Sequence, residues 1–189
     1  MLPASTGVGG GNRAGAALLA DVLALKPRDG HSVPRAIVVP SPMQCAAMQY
    51  RSSFSRAVEV DYGDHRRLSV SGTASIDPQG ATARVGDVRG QVELTLDVIE
   101  ALLRSRRMGW GDVTRAIAYV KHGADSAVYR RCMETRGIGD LPEVVAENDI
   151  CRDDLLFEME VDAWRAGTER QARPAGTASP ARSVRRGSR

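Results

Sequence analysis

Leu155-Leu156-Phe157-Glu158-Met159-Glu160-Val161-Asp162-Ala163 is the stretch on which the fold turns. Side chains alternate across a strand, so Phe157, Met159 and Val161 share one face while Glu158, Glu160 and Asp162 share the other. Three neighbouring acids repel one another, and partial burial raises the pKa of at least one of them. A carboxyl that stays protonated near neutral pH is what a general acid requires. The same spacing also describes the solvated face of an edge strand, so both readings stand at this point.

Moving back along the chain, Val144 to Ile150 reads as another strand, and Asp125 to Thr135 as a helix ended by Gly137. Thr114 to Val120 alternates as a strand. The clearest helix runs from about Val88 to Met108, with Asp87 as N-cap and Gly109 as terminator. Its Val92, Leu96, Ile99 and Leu103 recur at three- and four-residue steps, which makes one apolar stripe. Further upstream, Ala36-Ile37-Val38-Val39 is a short apolar strand stopped by Pro40 and Pro42. Phe54 to Val60 and Arg67 to Ser71 both alternate, and Asp61-Tyr62-Gly63-Asp64 fits a hairpin between them. Ser71-Gly72-Thr73-Ala74-Ser75 is small and polar, a place where backbone can closely approach a ligand.

This order predicts an α+β layer, a mixed β-sheet with two helices packed on one face. The other sheet face must find cover, and association of several copies is one physical solution. Residues 1–34 form a Gly-rich segment followed by a short helix over Ala14 to Leu25, closed by Pro27 and Gly30. No strand precedes the glycines and no Gly-Lys-Ser/Thr follows them, so they do not read as a phosphate loop. Residues 35–165 are the folded domain. Residues 166–189 are Arg, Ser, Gly, Pro and Ala, and read as a disordered tail.

With 189 residues, 42% hydrophobic and 26% charged, the chain has the material for one domain with its own core. The formal net charge is +3, but six Arg against one Glu give the tail a local +5, which leaves the rest near −2. The body therefore has no general attraction to polyanions, and aromatics at 4% argue against a base-stacking platform, so nucleic acid is not an expected partner. No apolar run reaches the roughly 20 residues of a membrane-spanning helix. The N-terminus has neither the basic start nor the apolar stretch of a secretory signal, which makes the cytoplasm the expected location. Cys45, Cys132 and Cys151 are widely spaced and odd in number, which argues for reduced thiols. They and the scattered His31, His65 and His122 show no metal-ligand spacing, so no metal site is expected.

Cys151 and Arg152 stand just before the closing strand. Cys151 could be an inert small core residue. Arg152 could clamp a carboxylate in bidentate fashion or pair at the surface with Asp153 or Asp154. Arg56, within Ser53-Phe54-Ser55-Arg56, poses the same choice.

Several of these stretches together resemble the RidA/YjgF family: Ser71 to Ser75, Gly86-Asp87, Gln91 opening the long helix, Gly109-Trp110-Gly111-Asp112-Val113, and the closing Phe157 to Ala163. The resemblance spans roughly residues 54–164 and implies that fold, typically a homotrimer with sites between subunits. The deaminases of that family use an Arg near the start of the penultimate strand to hold an imine's carboxylate. Here Leu141-Pro142-Glu143-Val144-Val145 has an acid in its place, which would repel that carboxylate.

A narrower resemblance, to the chorismatases, rests on Gly7 to Ala14 with Asn12-Arg13, Ser41-Pro42-Met43-Gln44, Ala46, Tyr50 and Phe54-Ser55-Arg56-Ala57. It also rests on Val70 to Ile76 and on Asp149-Ile150-Cys151-Arg152-Asp153-Asp154-Leu155-Leu156-Phe157-Glu158. Chorismatases are longer, and residues 35–165 resemble their C-terminal domain. They cleave the enolpyruvyl ether of chorismate to pyruvate plus a dihydroxycyclohexadiene carboxylate or a hydroxybenzoate, without a metal or organic cofactor. The resemblance implies Glu158 as the proton donor to the methylene carbon and Arg56 and Arg152 as carboxylate contacts. It further implies Tyr50, Ser71, Gly72 and Thr73 as lining, with Ala74 and Cys151 where subfamilies differ in product.

Overall fold

The computed structural model describes residues 1–11, 15–31 and 33–167. Six strands follow in chain order: β1 (Arg35–Val39), β2 (Ala57–Asp61), β3 (His65–Ala74), β4 (Val113–Val120), β5 (Glu143–Glu147) and β6 (Phe157–Ala166). Helix α1 (Val88–Ser105) lies between β3 and β4, and α2 (Ser126–Thr135) between β4 and β5. The strands form one sheet in the order β1-β2-β3-β6-β4-β5. The β4–β5 pair is parallel and every other pair is antiparallel. This is the expected mixed sheet with two helices on one face.

The alternation in β6 makes this layering possible. Phe157, Met159, Val161 and Ala163 are completely buried against Val92, Leu96, Ile99 and Leu103 of α1, and the ring of Tyr129 on α2 stacks on Phe157 at 5.1 Å. Each of the larger of these side chains contributes roughly 1.5–3 kcal/mol when fully buried. Asp87 caps α1 by accepting from Gly90 N at 2.9 Å. One buried acid also lies on the helix side: Glu59 of β2 accepts from Arg106 Nε at 3.0 Å and Nη2 at 2.8 Å, and from Arg66 Nη1 at 3.1 Å. That ion cluster ties the end of α1 to the sheet.

The opposite face carries Val38, Val58, Val60, Ile117 and Val144 around a polar belt. In the belt Asp162 accepts from Ser69 Oγ at 2.7 Å, Arg67 Nη2 at 2.9 Å and Arg115 Nη1 at 3.1 Å. Glu160 pairs with the other end of Arg115. Strand β6 is therefore central rather than an edge, which removes the solvated-edge reading of its three acids. Between Val70 and Thr73 the register of β3 against β6 shifts, so that Ser71 and Gly72 together oppose Glu160.

Several elements differ from expectation. Helix α1 stops at Ser105, short of Met108, because Arg107 takes a left-handed backbone (φ 59°) and Met108 N turns back onto Leu103 O, well before Gly109. Strand β2 starts at Ala57 rather than Phe54, and β5 ends at Glu147, which leaves 148–156 as a loop. The helix expected over Ala14 to Leu25 is absent: residues 15–25 are non-helical and exposed, and Ala14 lies outside the described residues. High Ala and Leu propensity does not hold so short a helix without a surface to pack on. Asn12, Arg13 and the tail from residue 168 also lie outside the described residues.

Candidate active site

Where β3 and β6 run beyond the polar belt, the open face sinks into a cavity of about 320 Å³. Its floor is Gly72, Ala74 and Glu158. One wall is the segment around Tyr50, Phe54 and Arg56, and another is the 151–155 loop with Cys151, Arg152 and Leu155. Ser5 and Gly7 close a third side. The N-terminal segment is laced there by backbone and side-chain bonds: Ser55 N donates to Pro3 O at 2.8 Å, Ser5 N to Ser71 Oγ at 3.0 Å, and Gly72 N to Thr6 Oγ1 at 2.9 Å. Gly9 then pairs with Asp149 through both backbone bonds, at 2.8 and 2.9 Å.

Glu158 is 5% exposed, and its carboxyl has no hydrogen bond or ion pair among the described residues. Burial, and secondarily the charge of Glu160, push it up to about 7. Glu160 and Asp162, the other acids of the strand, have arginine partners. The same alternation thus yields two carboxylates paired with arginine and one unpaired carboxyl that holds its proton up to about pH 7. Beside Glu158 on β4, Tyr119 is pushed up to about 12 by burial and the Glu160 charge, so it stays a neutral phenol.

The cations stand across the cavity. Arg56 is 4% exposed and has no carboxylate partner among the described residues. Its Nε donates to Cys45 O at 3.0 Å, and its guanidinium lies 5.2 Å from the ring centre of Tyr50 and 5.5 Å from that of Phe54. Arg152 approaches the Tyr50 ring at 5.0 Å and donates to Gly80 O at 2.9 Å. The expected alternative, pairing with Asp153 or Asp154, does not occur. Two guanidinium groups without carboxylate partners therefore flank one tyrosine ring, an arrangement that attracts an anionic ligand. Burial raises the Tyr50 hydroxyl against the pull of both arginines, while burial and then the Glu158 charge raise the Cys151 thiol.

Seven of the candidate residues meet in this cavity: Tyr50, Arg56, Gly72, Ala74, Cys151, Arg152 and Glu158. Ser71 and Thr73 do not line it. The hydroxyl of Ser71 is spent on Ser55 O and Ser5 N, and the register shift turns Thr73 to the helix side opposite Met159, with its hydroxyl bonded to Ser71 O at 2.8 Å. Ser5, Gly7, Ser52, Ser53, Phe54, Ile76 and Leu155 also line the cavity and were not among the candidates. Phe54 lay inside a quoted motif, but nothing local marks Ser5, whose place depends on contacts more than sixty residues away. Among the described residues, no group of three or more His, Cys, Asp and Glu side chains is placed to hold a metal ion. No helix there is long and apolar enough to cross a membrane.

No family model matches the sequence, and no curated protein is similar enough to match. Solved structures do match. A chorismatase is 27% identical with a TM-score of 0.61 over 68% of this chain, which spans 44% of the chorismatase's own length. The YjgF gene product of E. coli is 21% identical with a TM-score of 0.54, covering 68% of this chain and 98% of its own. RidA from an Antarctic Psychrobacter is 17% identical with a TM-score of 0.57, over 68% and 99%. The chain has the RidA/YjgF fold, the architecture that these chorismatase and RidA/YjgF structures share.

Proposed function

We propose that the protein is a chorismatase-like enzyme that cleaves the enolpyruvyl ether of chorismate. One observation carries the reading: a buried carboxyl, pushed up to about 7 and without a cation among the described residues, opens onto a cavity that also holds two arginines without carboxylate partners among those residues. A dicarboxylate would be held by Arg56 and Arg152. Protonated Glu158 would give its proton to the methylene carbon of the enol ether, and the cation so formed would take up water. The carbon–oxygen bond of the hemiketal so formed then breaks, its hydroxyl proton passing to the ring oxygen, which releases pyruvate and a dihydroxycyclohexadiene carboxylate; a hydroxybenzoate results where the ring product loses one water in turn. Likeness to the solved chorismatase supports this, although this chain spans 44% of that protein.

The open sheet face, with Val58, Val60, Ile117 and Val144 around the Asp162 belt, suits association into a homo-oligomer, and a trimer is proposed in line with the family resemblance. The direct test is pyruvate release from chorismate, followed by coupled NADH oxidation. Wild type should release pyruvate and Glu158→Gln should not, and a folded, inactive wild type would overturn the reading.

A second reading is a RidA-like enamine or imine deaminase, or a small-metabolite binder without turnover. It is favoured by the coverage of RidA-type structures, which this chain matches over nearly their whole length. Against deamination, Glu143 stands at the start of β5 bonded to the Tyr129 hydroxyl and is not part of the cavity. Ammonia release from an enamine generated in situ, measured with and without protein, separates the two.

A further inference from the structure

Residues 2–9 run along the rim of the Glu158 cavity, with Leu2, Ala4, Thr6 and Val8 half-buried and the residues between them exposed. Their bonds join three separate parts of that rim. Toward one end, Ser55 donates through N to Pro3 O at 2.8 Å and through Oγ to Leu2 O at 2.7 Å. In the middle, Ser5 N donates to Ser71 Oγ at 3.0 Å and Gly72 N donates to Thr6 Oγ1 at 2.9 Å. Toward the other end, Gly9 and Asp149 exchange both backbone bonds, just ahead of Cys151 and Arg152 in the cavity wall. The two middle contacts fall on Ser71 and Gly72, the residues that together oppose Glu160 where β3 shifts register. Gly72 is also where this segment meets the acid. A Cβ at that position would stand 2.8 Å from Thr6 Cγ2 and 3.0 Å from Glu158 Cδ, so methyl and carboxyl are neighbours across bare backbone. Ser5 and Gly7, on either side of Thr6, line the cavity with Glu158.

We propose that residues 2–9 are a strap that keeps the Glu158 carboxyl enclosed, with Thr6 as the positioning residue whose hydroxyl fastens the strap to Gly72. The strap has no ionisable side chain, so it acts on the carboxyl by excluding water and not by charge. The titratable groups facing Glu158 are Tyr119 on β4, Cys151 in the 148–156 loop and Glu160 on its own strand, with Arg56 and Arg152 in the cavity wall. A substitution at Thr6 leaves all five in place and changes only the cover. The catalytic consequence rests on the proposed reaction, since a wetter, more acidic carboxyl is a poorer store for the proton. The enclosure itself is measured without turnover.

The test is a carbon-13 NMR titration of the Glu158 carboxyl in the full chain, its signal identified by its absence from Glu158→Gln. Wild type should titrate near 7. Thr6→Val keeps the shape but cannot accept from Gly72 N, so the strap lifts and the midpoint should fall by about one pH unit or more toward the ordinary 4.5. Thr6→Ser keeps the acceptor and should stay closer to wild type than to Thr6→Val. A wild-type midpoint near 4.5, a Thr6→Val midpoint equal to that of wild type, or a Thr6→Ser midpoint as low as that of Thr6→Val would each overturn the assignment. Should Thr6→Val fail to fold, hydrogen exchange of the Gly72 amide in wild type decides. Slowing by about a hundredfold or more against an open chain supports the strap, and exchange at the open-chain rate overturns it. Wild type that releases no pyruvate while its Glu158 titrates near 7 counts against the proposed reaction and not against the strap.

Discussion

Gly72 and Glu158 lie so close that any side chain at position 72 must displace the Glu158 carboxyl or Thr6. A Cβ there would stand 3.0 Å from Glu158 Cδ, well inside contact with Oε1, and 2.8 Å from Thr6 Cγ2 on its other side. The carboxyl is thus seated on bare backbone, and the N-terminal segment presses from above. Gly72→Ala must move the carboxyl or the segment. The expected result is at least about a hundredfold loss of pyruvate release, in keeping with the cost of misplacing a reacting group by about 1 Å. Steady-state kinetics on the folded variant checks it.

Glu158 also predicts a pH dependence. In the folded chain its carboxyl titrates near 7, against 4.5 for the ordinary group. As the proposed proton donor it must be protonated, so kcat/KM should fall as pH rises through about 7. Between the two pKa values the folded chain binds more protons than the unfolded one, so stability falls as pH rises across this window and levels off above 7. The integrated effect is about 3 kcal/mol. Glu158→Gln removes this contribution. Chemical denaturation at pH 5 and pH 8 should therefore show a smaller difference for the variant than for wild type.

Arg56 is held as a buried cation without a counter-charge among the described residues. Removing such a charge relieves desolvation, so Arg56→Met should unfold no earlier than wild type while losing the stabilisation that anionic ligands confer. Thermal melts with and without chorismate measure both. Early unfolding of Arg56→Met, or an undiminished shift with chorismate, would contradict this account of the residue.

Glu59 gives a contrasting case remote from the chemistry. It is 3% exposed and held by Arg66 and Arg106, so Glu59→Ala leaves two cations without their carboxylate at the end of α1. The expected loss is about 3 kcal/mol of stability. Pyruvate release per folded molecule should be unchanged.

The layering was legible because period-two and period-3.6 patterns report directly on burial: β6 and α1 each announced the face they bury. The carboxyl of Glu158 was legible as one of three acids. Which of the three keeps its proton was not, since that depends on Arg67 and Arg115 from neighbouring strands neutralising Asp162 and Glu160. Ala14 to Leu25 failed for a related reason, because composition records propensity but not the presence of a packing surface. Ser5 and Gly7 belong to a wall formed by long-range pairing, for which a single sequence offers no local signal. Thr73 was assigned to the lining by resemblance, and five small residues in a row give no sign of where the strand gains a residue.

That extra residue in β3 has a consequence for how the chain tolerates change. With strict alternation after Val70, position 72 would look toward α1 and the methyl and hydroxyl of Thr73 would crowd the proton donor. The gained residue puts the strand out of phase just where packing gives way to chemistry. Deleting Ser71 would restore a regular ladder, with Gly72 alone opposite Glu160 while Thr73 and Ala74 keep Met159 and Glu158 as partners, so the acid would stay open and only the Ser71 bonds to Ser5 and Ser55 would be lost.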